Sequence, residues 1–155
     1  RVNPDVALGS SQWLTMHTYN RTRDNTREAI SSLKNRGYRV VATSPHRNDT
    51  RLEDLDLHAG PVAILLGNEL DGLTEAALAD ADEYVRIPIY GFVESFNISV
   101  AAAVILHHTT LALRNSDIDW QLSRDEQNAI LLDWVRASAP GGAALEREYY
   151  RRQGV

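Results

Sequence analysis

Two short polar loops carry the side chains that could do chemistry in this chain. Gly67–Thr74 reads GNELDGLT, and Ser95-Phe96-Asn97 comes just before an alanine-rich segment. Each loop follows a predicted strand and precedes a predicted helix. At such junctions of α/β proteins, unpaired backbone N–H and C=O groups are available to bind ligands. The two loops are therefore predicted to form two walls of one polar site, and they favour an enzyme.

Both loops also allow a purely structural interpretation. Gly67 and Gly72 would then only make tight turns, Glu69 would only cap a helix, and Asn97 would only cap the helix that follows it. The spacing of the two glycines is that of a phosphate-binding loop, but Leu73 stands where such a loop has its lysine. Because that lysine supplies the charge on the phosphates, a P-loop nucleoside triphosphatase is rejected.

The histidines and cysteines indicate no metal site. His107 and His108 are neighbours in a predicted helix and point about 100° apart, so they cannot readily ligate one metal ion. Their apolar context favours a structural role. Cysteine is absent from the sequence, which excludes disulfides, thiolate metal ligands and a cysteine nucleophile.

Length and composition predict one domain with a small appendage. The chain has 155 residues, 43% of them hydrophobic, and its sequence holds no apolar run long enough to span a membrane. These features predict a cytoplasmic protein without membrane contact. Because the sequence opens on Arg1 rather than on methionine, we expect a fragment or a chain whose N-terminal part was removed.

The charge is distributed unevenly along the chain. The net charge of −5 argues against a generally basic nucleic-acid binder. Residues 1–51, however, contain nine lysines and arginines against four acids, whereas the rest of the chain contains seven against 17. The basic segment could contact phosphates, and so could Arg147–Arg152, where Tyr149 and Tyr150 offer stacking surfaces for RNA. Solvated surface charge is the alternative in both places.

Strands and helices alternate along the predicted chain. Short apolar or β-branched runs predict strands at 12–17, 38–43, 62–66 and 83–87. Capping residues and apolar spacing predict helices after Asp24 or Asn25, after Thr74, at 98–113, after Ser123 and at 143–152. A polar loop is predicted at 44–60, with room for a turn of helix near 52–55. This alternation predicts an α/β fold with a mostly parallel sheet and helices on both faces.

Several segments, taken in order, resemble the SpoU/TrmH group of the SPOUT superfamily, which comprises RNA ribose 2′-O-methyltransferases. Gly9–Trp13 is similar to the group's GS-x-QW segment, and Ala42-Thr43 to the AT that ends one of its strands. Ile64–Leu73 is similar to its second motif, LLGNE-x-x-GL. Ile87-Pro88 with Ser95–Ala102 is similar to its third, IP…SLN-x-S-x-A, with a phenylalanine in place of the leucine.

The resemblance implies a deep C-terminal trefoil knot, one of the rare exceptions to unknotted folds, that clamps S-adenosylmethionine (SAM) in a bent form. It also implies a homodimer whose active site draws on both subunits. The implied reaction is in-line transfer of the SAM methyl group to a ribose 2′-oxygen, with no metal. Carried over by position, the catalytic residues are Asn97, Ser95 and Glu69. The cofactor-binding residues are Thr43, Leu66, Gly67, Asn68, Glu69, Ile87, Ser95, Phe96 and Asn97.

One motif of the group has no clear match in this sequence. The group's first motif, N-x-G-A-I-x-R-T, carries the arginine implied to act on the 2′-hydroxyl. Asn20-Arg21-Thr22 resembles it only superficially, because it follows the GS-x-QW segment instead of preceding it. No catalytic arginine is therefore assigned, and the chain as it stands could keep a SAM site and yet be inactive.

The tail Leu122–Arg152 resembles the helical extension of the group's tRNA-specific branch, which modifies a D-loop guanosine of tRNA (guanosine 18). Residues 1–115 are accordingly predicted as the catalytic SPOUT domain and 116–155 as a C-terminal helical extension. Ribosomal RNA as the substrate, and a non-catalytic RNA-binding or dimerisation module, are the alternatives. The candidates for phosphate contacts are Arg21, Arg23, Arg47, Arg151 and Arg152.

Overall fold

The computed structural model describes residues 13–22, 24–44, 49–92 and 95–154. The chain divides into two compact units. The first is Tyr19–Asp119, and the second is the described chain from Trp120 onwards together with residues 13–18. No helix among these residues is long and apolar enough to cross a membrane.

A parallel sheet is the frame of the first unit. Within the described residues its strands lie in the order β2-β4-β1-β3. All three pairings are parallel, and β1 lies between β3 and β4. The predicted α/β fold with a parallel sheet is therefore confirmed. The strands are β1 (Arg39–Thr43), β2 (Thr50–Arg51), β3 (Val62–Leu65) and β4 (Glu83–Arg86).

One face of the sheet is covered by two helices. They are α1 (Asn25–Asn35) and α2 (Glu75–Ala79), and each contributes a buried residue, Ile30 and Ala77, to a cluster around Val40. Successive residues of a strand point to opposite faces of the sheet. Val41, which follows Val40 in β1, therefore belongs to the core on the other face.

The other face is covered by the long helix α3 (Ile98–Arg114). Ile105 of this helix packs with Val41, Val85 and Leu52, of which the last belongs to a short 3₁₀ turn. Helices therefore lie on both faces, as the alternation of elements predicted.

Asp82 ties the beginning of β4 to its neighbours. Its carboxylate accepts an ion-paired hydrogen bond from Lys34 Nζ at 2.6 Å and a hydrogen bond from the Val40 backbone N–H at 2.8 Å. The Lys34 ammonium and the Val40 N–H hold the pKa of the Asp82 carboxyl below its ordinary value. Helix α1 and strand β1 are thus joined through one side chain.

The second unit contains a pair of helices, α4 (Arg124–Ser138) and α5 (Gly142–Gln153). Ser123 begins α4 with the predicted capping box. Arg136 Nε donates to Glu146 Oε2 at 2.8 Å and so connects the two helices. The helical tail is therefore built from a capped helix pair with a charged contact between its members.

Two local predictions are wrong. Residues 13–17, the described part of the strand predicted at 12–17, form no strand. Trp13 packs instead edge to face on Trp134, with ring centroids 5.4 Å apart, and so short an alternation does not demand a sheet partner. Part of the loop predicted at 44–60 is β2, because pairing with β4 orders two residues that carry no strand pattern of their own.

Candidate functional site

The carboxyl ends of three adjacent parallel strands meet at one edge of the sheet. β1 ends at Thr43, β3 leads into Leu66 and Gly67, and β4 leads into Ile87. Thr43 Oγ1 donates to the Leu65 carbonyl oxygen at 2.9 Å, which fastens the end of β1 to β3. These predicted site residues therefore lie at the edge where α/β folds bind ligands.

The chain from Gly67 to Gly72 forms a closed loop after β3. The backbone N–H of Asn68 donates to the Gly72 carbonyl, and the Gly72 N–H donates to the Asn68 carbonyl, each at 3.1 Å. Gly72 has a φ of +68°, a left-handed conformation that glycine adopts without strain. A Cβ at Gly67 would lie 2.2 Å from the Gly72 carbonyl carbon, so only glycine lets the two ends of the loop approach. The glycines do make tight turns, and the loop that they close presents Glu69.

Glu69 and Asn97 join the two loops that the sequence singled out. Asn97 Nδ2 donates a hydrogen bond to Glu69 Oε1. The other end of the same amide, Oδ1, accepts the backbone N–H of Ser99 at 2.9 Å and caps α3. The cap fixes which way the amide points, and therefore which end meets the carboxylate. Both residues are exposed, so the pair is open to a ligand.

Large apolar side chains around these loops are exposed, and only Phe96 among them is a site residue predicted from the sequence. Leu70 is 94% exposed, Tyr90 is 88% exposed and Phe92 is fully exposed, whereas Phe96 is 38% exposed. Exposed apolar groups beside a polar cluster are typical of a surface that a ligand or partner covers. Apolar residues inside loops of glycine and acidic residues were the signal that could have identified them.

A cavity of about 350 Å³ opens beside the loop, on the face covered by α1 and α2. Leu66, Gly67 and Asn68 line it together with apolar residues of those helices. The Glu69–Asn97 contact is outside this lining. The cavity is therefore a neighbour of the predicted site and shares one wall with it.

The predicted phosphate contacts are distributed over both units. Arg21 is exposed in the first unit, and Arg151 and Arg152 are exposed in the second. The Nε atoms of Arg151 and Arg152 donate to Glu148 at 2.8 and 2.9 Å, and these arginines lower the pKa of the Glu148 carboxyl. Two arginines share one carboxylate, which leaves net positive charge at this end of α5. Two further candidates lie outside the described residues: Arg23 and Arg47.

The predicted site residues thus fall into two groups. At the sheet edge and at the Glu69–Asn97 contact, the structure brings together Thr43, Leu66, Gly67, Asn68, Glu69, Ile87 and Asn97. Ser95 and Phe96 directly precede Asn97 in the chain and are exposed. Most of the segment similar to GS-x-QW lies outside the described residues.

A parallel sheet with polar loops at the carboxyl ends of its strands is typical of α/β proteins that bind ligands at that edge of the sheet. Within that class, the chain belongs to the SpoU rRNA Methylase family, whose model matches residues 2–107. The resemblance drawn from the motifs is confirmed.

Several curated relatives are named tRNA (guanosine(18)-2′-O)-methyltransferase. The protein of Borreliella burgdorferi is 43% identical over 135 residues, which are 87% of this chain and 60% of the relative. The protein of Escherichia coli is 30% identical over 159 residues, which are 100% of this chain and 64% of the relative. The chain therefore spans less than two thirds of the length of these relatives.

Solved structures have the same fold. The A. aeolicus TrmH/SpoU tRNA modifying enzyme matches with a TM-score of 0.69 at 27% identity, over 90% of this chain and 70% of that chain. The SpoU methyltransferase AviRb from Streptomyces viridochromogenes, in complex with the cofactor AdoMet, matches with a TM-score of 0.51 at 27% identity. That match covers 61% of this chain and 36% of the other.

Proposed function

We propose that this chain is the SAM-binding and catalytic part of a tRNA ribose 2′-O-methyltransferase that modifies guanosine 18. The observation that carries the proposal is the contact between Glu69 and Asn97, which joins two motif loops at the carboxyl edge of the sheet. The names of the B. burgdorferi and E. coli relatives support tRNA as the substrate.

The residues at this edge fit SAM. Gly67 leaves no room for a Cβ, so the backbone there is tightly packed and its polar groups are held in place. Leu66 and Ile87, both half-buried, and Phe96 offer apolar contact for an adenine, while strand-end backbone groups offer hydrogen bonds. A SpoU methyltransferase solved with AdoMet supports this assignment. Bound there, SAM supplies a methyl group on a sulfonium, which is a good leaving group.

The protein's task in this reaction is alignment and proton removal. Ser95 and Asn97 would position the ribose and the cofactor at the beginning of α3. Glu69 is held by the Asn97 amide, and a carboxylate in that place can accept a hydrogen bond from a ribose hydroxyl. The residues proposed to line the cofactor are Thr43, Leu66, Gly67, Glu69, Ile87 and Phe96.

We also propose that the chain forms the homodimer and the trefoil knot of its family. Val100, Val104 and Leu111 of α3 are 47%, 37% and 51% exposed, and their spacing places them on one face of the helix. A second copy against this face would remove that apolar surface from water. The knot belongs to the proposed catalytic domain, residues 1–115, and residues 116–155 are its helical extension.

RNA contacts are proposed for both units. Arg21 in the first unit and Arg151 and Arg152 in the second are exposed and can approach phosphates, and Tyr150 lies beside the latter pair in sequence. Ribosomal RNA is the second candidate substrate, because the matching family model describes an rRNA methylase. Either substrate fits a cytoplasmic location.

The test is methyl transfer from SAM by the intact protein to a tRNA transcript carrying guanosine 18. Asn97→Ala and Glu69→Ala should each lower the rate at saturating SAM by about tenfold or more. Ser123→Ala is the matched control, because it also removes a helix N-cap but in the other unit. A transcript already methylated at the 2′-oxygen of guanosine 18 should accept no further methyl group from SAM.

Each contrary result has a distinct meaning. Unchanged transfer in both Asn97→Ala and Glu69→Ala would refute the site. Methylation of ribosomal RNA but not of tRNA would establish the second substrate. A folded protein that binds no SAM would leave the non-catalytic RNA-binding or dimerisation module.

A further inference from the structure

We infer that Asn68 is a positioning residue, whose side-chain carbonyl closes the turn that presents Glu69 to Asn97. The motif places Asn68 among the cofactor-binding residues, whereas the structure gives its side chain partners within its own loop. The inference rests on the proposed function, because Glu69 belongs to that site.

Asn68 uses its side-chain oxygen and its backbone N–H and C=O groups inside the turn. Its Oδ1 accepts the backbone N–H of Leu70 at 2.9 Å and the backbone N–H of Asp71 at 2.7 Å. Its own N–H and C=O exchange hydrogen bonds with Gly72. An amide oxygen has two lone pairs, and both are engaged, so this atom has no further capacity for a cofactor.

The turn determines the direction of the Glu69 side chain. Glu69 lies between Asn68 and Leu70, so holding the chain on both sides holds its Cα–Cβ bond in one direction. Its carboxylate then meets the amide of Asn97, which the Ser99 N–H holds from the other end. Asn68 therefore acts on the site through Glu69.

Removal of the Asn68 carbonyl loosens the turn without unfolding the protein. Leu70 and Asp71 are exposed, so water can bind their N–H groups when the side-chain oxygen is gone. Loss of the Asn68 side-chain carbonyl therefore changes the position of Glu69 and leaves the free energy of unfolding nearly unchanged. This difference separates a positioning residue from a residue needed only for folding.

The side-chain amide of Asn97 reports the contact directly. In the ¹⁵N-labelled intact protein, Asn68→Ala should move the Asn97 Nδ2 resonance towards its position in Glu69→Ala. Asn68→Asp keeps an acceptor oxygen and should restore the wild-type position. Asp56→Ala is the matched control, because Asp56 Oδ1 accepts the His58 N–H at 2.8 Å in a similar turn elsewhere. An Asn97 resonance unmoved by Asn68→Ala overturns the inference.

Methyl transfer to tRNA at saturating SAM is the second readout. Asn68→Ala should lower turnover by about tenfold and Asn68→Asp should recover most of it. The variant with both Asn68→Ala and Glu69→Ala should be no slower than Glu69→Ala alone, because the first residue acts only through the second.

Two results would overturn the inference while leaving the proposed function intact. One is a double variant whose losses multiply. The other is a calorimetric measurement in which Asn68→Ala weakens SAM binding more than Glu69→Ala does. Asn68 would then contact the ligand directly. A wild-type protein that neither binds SAM nor transfers methyl refutes the proposed function instead, and the Asn97 resonance still decides the role of Asn68.

Discussion

Gly67→Ala tests whether the close approach of Gly67 to Gly72 keeps the proposed SAM site in its shape. The new Cβ would lie 2.2 Å from the Gly72 carbonyl carbon, 2.4 Å from the Leu73 nitrogen and 2.6 Å from the Gly72 Cα. All three are backbone atoms, so no side-chain rotation relieves the clash. Ordinary contacts of a Cβ begin at 3.4 Å, and the chain at Gly72 must therefore retreat by about 1.2 Å. Such overpacking costs about 1–3 kcal/mol and lengthens the two hydrogen bonds between Asn68 and Gly72.

Thermal unfolding and SAM calorimetry measure the two consequences separately. The Tm should fall by about 2–4 °C for each kcal/mol by which the free energy of unfolding decreases. SAM should bind at least about tenfold more weakly. Gly37→Ala is the matched control. Gly37 has a φ of +84° with nothing within 4 Å of an added Cβ, so alanine there strains the backbone beyond α1 without touching the site. It should lower the Tm and leave SAM binding unchanged. Wild-type Tm and SAM affinity in Gly67→Ala would refute the reasoning.

Two further predictions concern pH and assembly. The folded-state pKa of Asp82 lies below its ordinary value of 3.8, so its carboxylate stabilises the fold above that pH, and this contribution is lost as the pH falls through the folded-state pKa. Asp82→Asn should therefore unfold at a lower Tm than wild type near about pH 6, with the gap closing towards about pH 3, and a gap that does not change with pH would contradict this. Val104→Asp puts a charge on the exposed apolar face of α3 and should dissociate the proposed dimer in sedimentation, whereas Val104→Thr, of similar volume but uncharged, should not. A dimer that survives Val104→Asp would exclude this face.

The parallel sheet could be predicted because most of its strands have a recognisable pattern of apolar residues in their own short segment of sequence. Val62–Leu65 is a continuous apolar run, as expected of a strand covered on both faces. The first residues of α3 and α4 could be predicted as well, since Asn97 and Ser123 have side-chain oxygens that suit an N-cap. In these places a short stretch of sequence contains the whole physical cause.

The features that escaped prediction depend on distant partners. β2 is a strand only because β4 lies beside it. The loops of Glu69 and Asn97 were predicted to form one site, but the hydrogen bond between these two residues, 28 positions apart, was not, because no local pattern describes it. The motif marks Asn68 as part of the site, but the two N–H groups that its side chain accepts become visible only in the folded loop.

The strand order also determines in which sequence the strand pairs can form while the chain is being synthesised. β4 lies between β1 and β2, yet it is the last of the four described strands along the chain. A chain emerging from the ribosome can pair β1 with β3 early, whereas β2 waits for residues 83–86. Because these pairings are parallel and far apart in sequence, they form slowly. Nascent chains that end before β4 therefore leave one edge of β1 unpaired, and an unpaired strand edge can pair with another chain and aggregate.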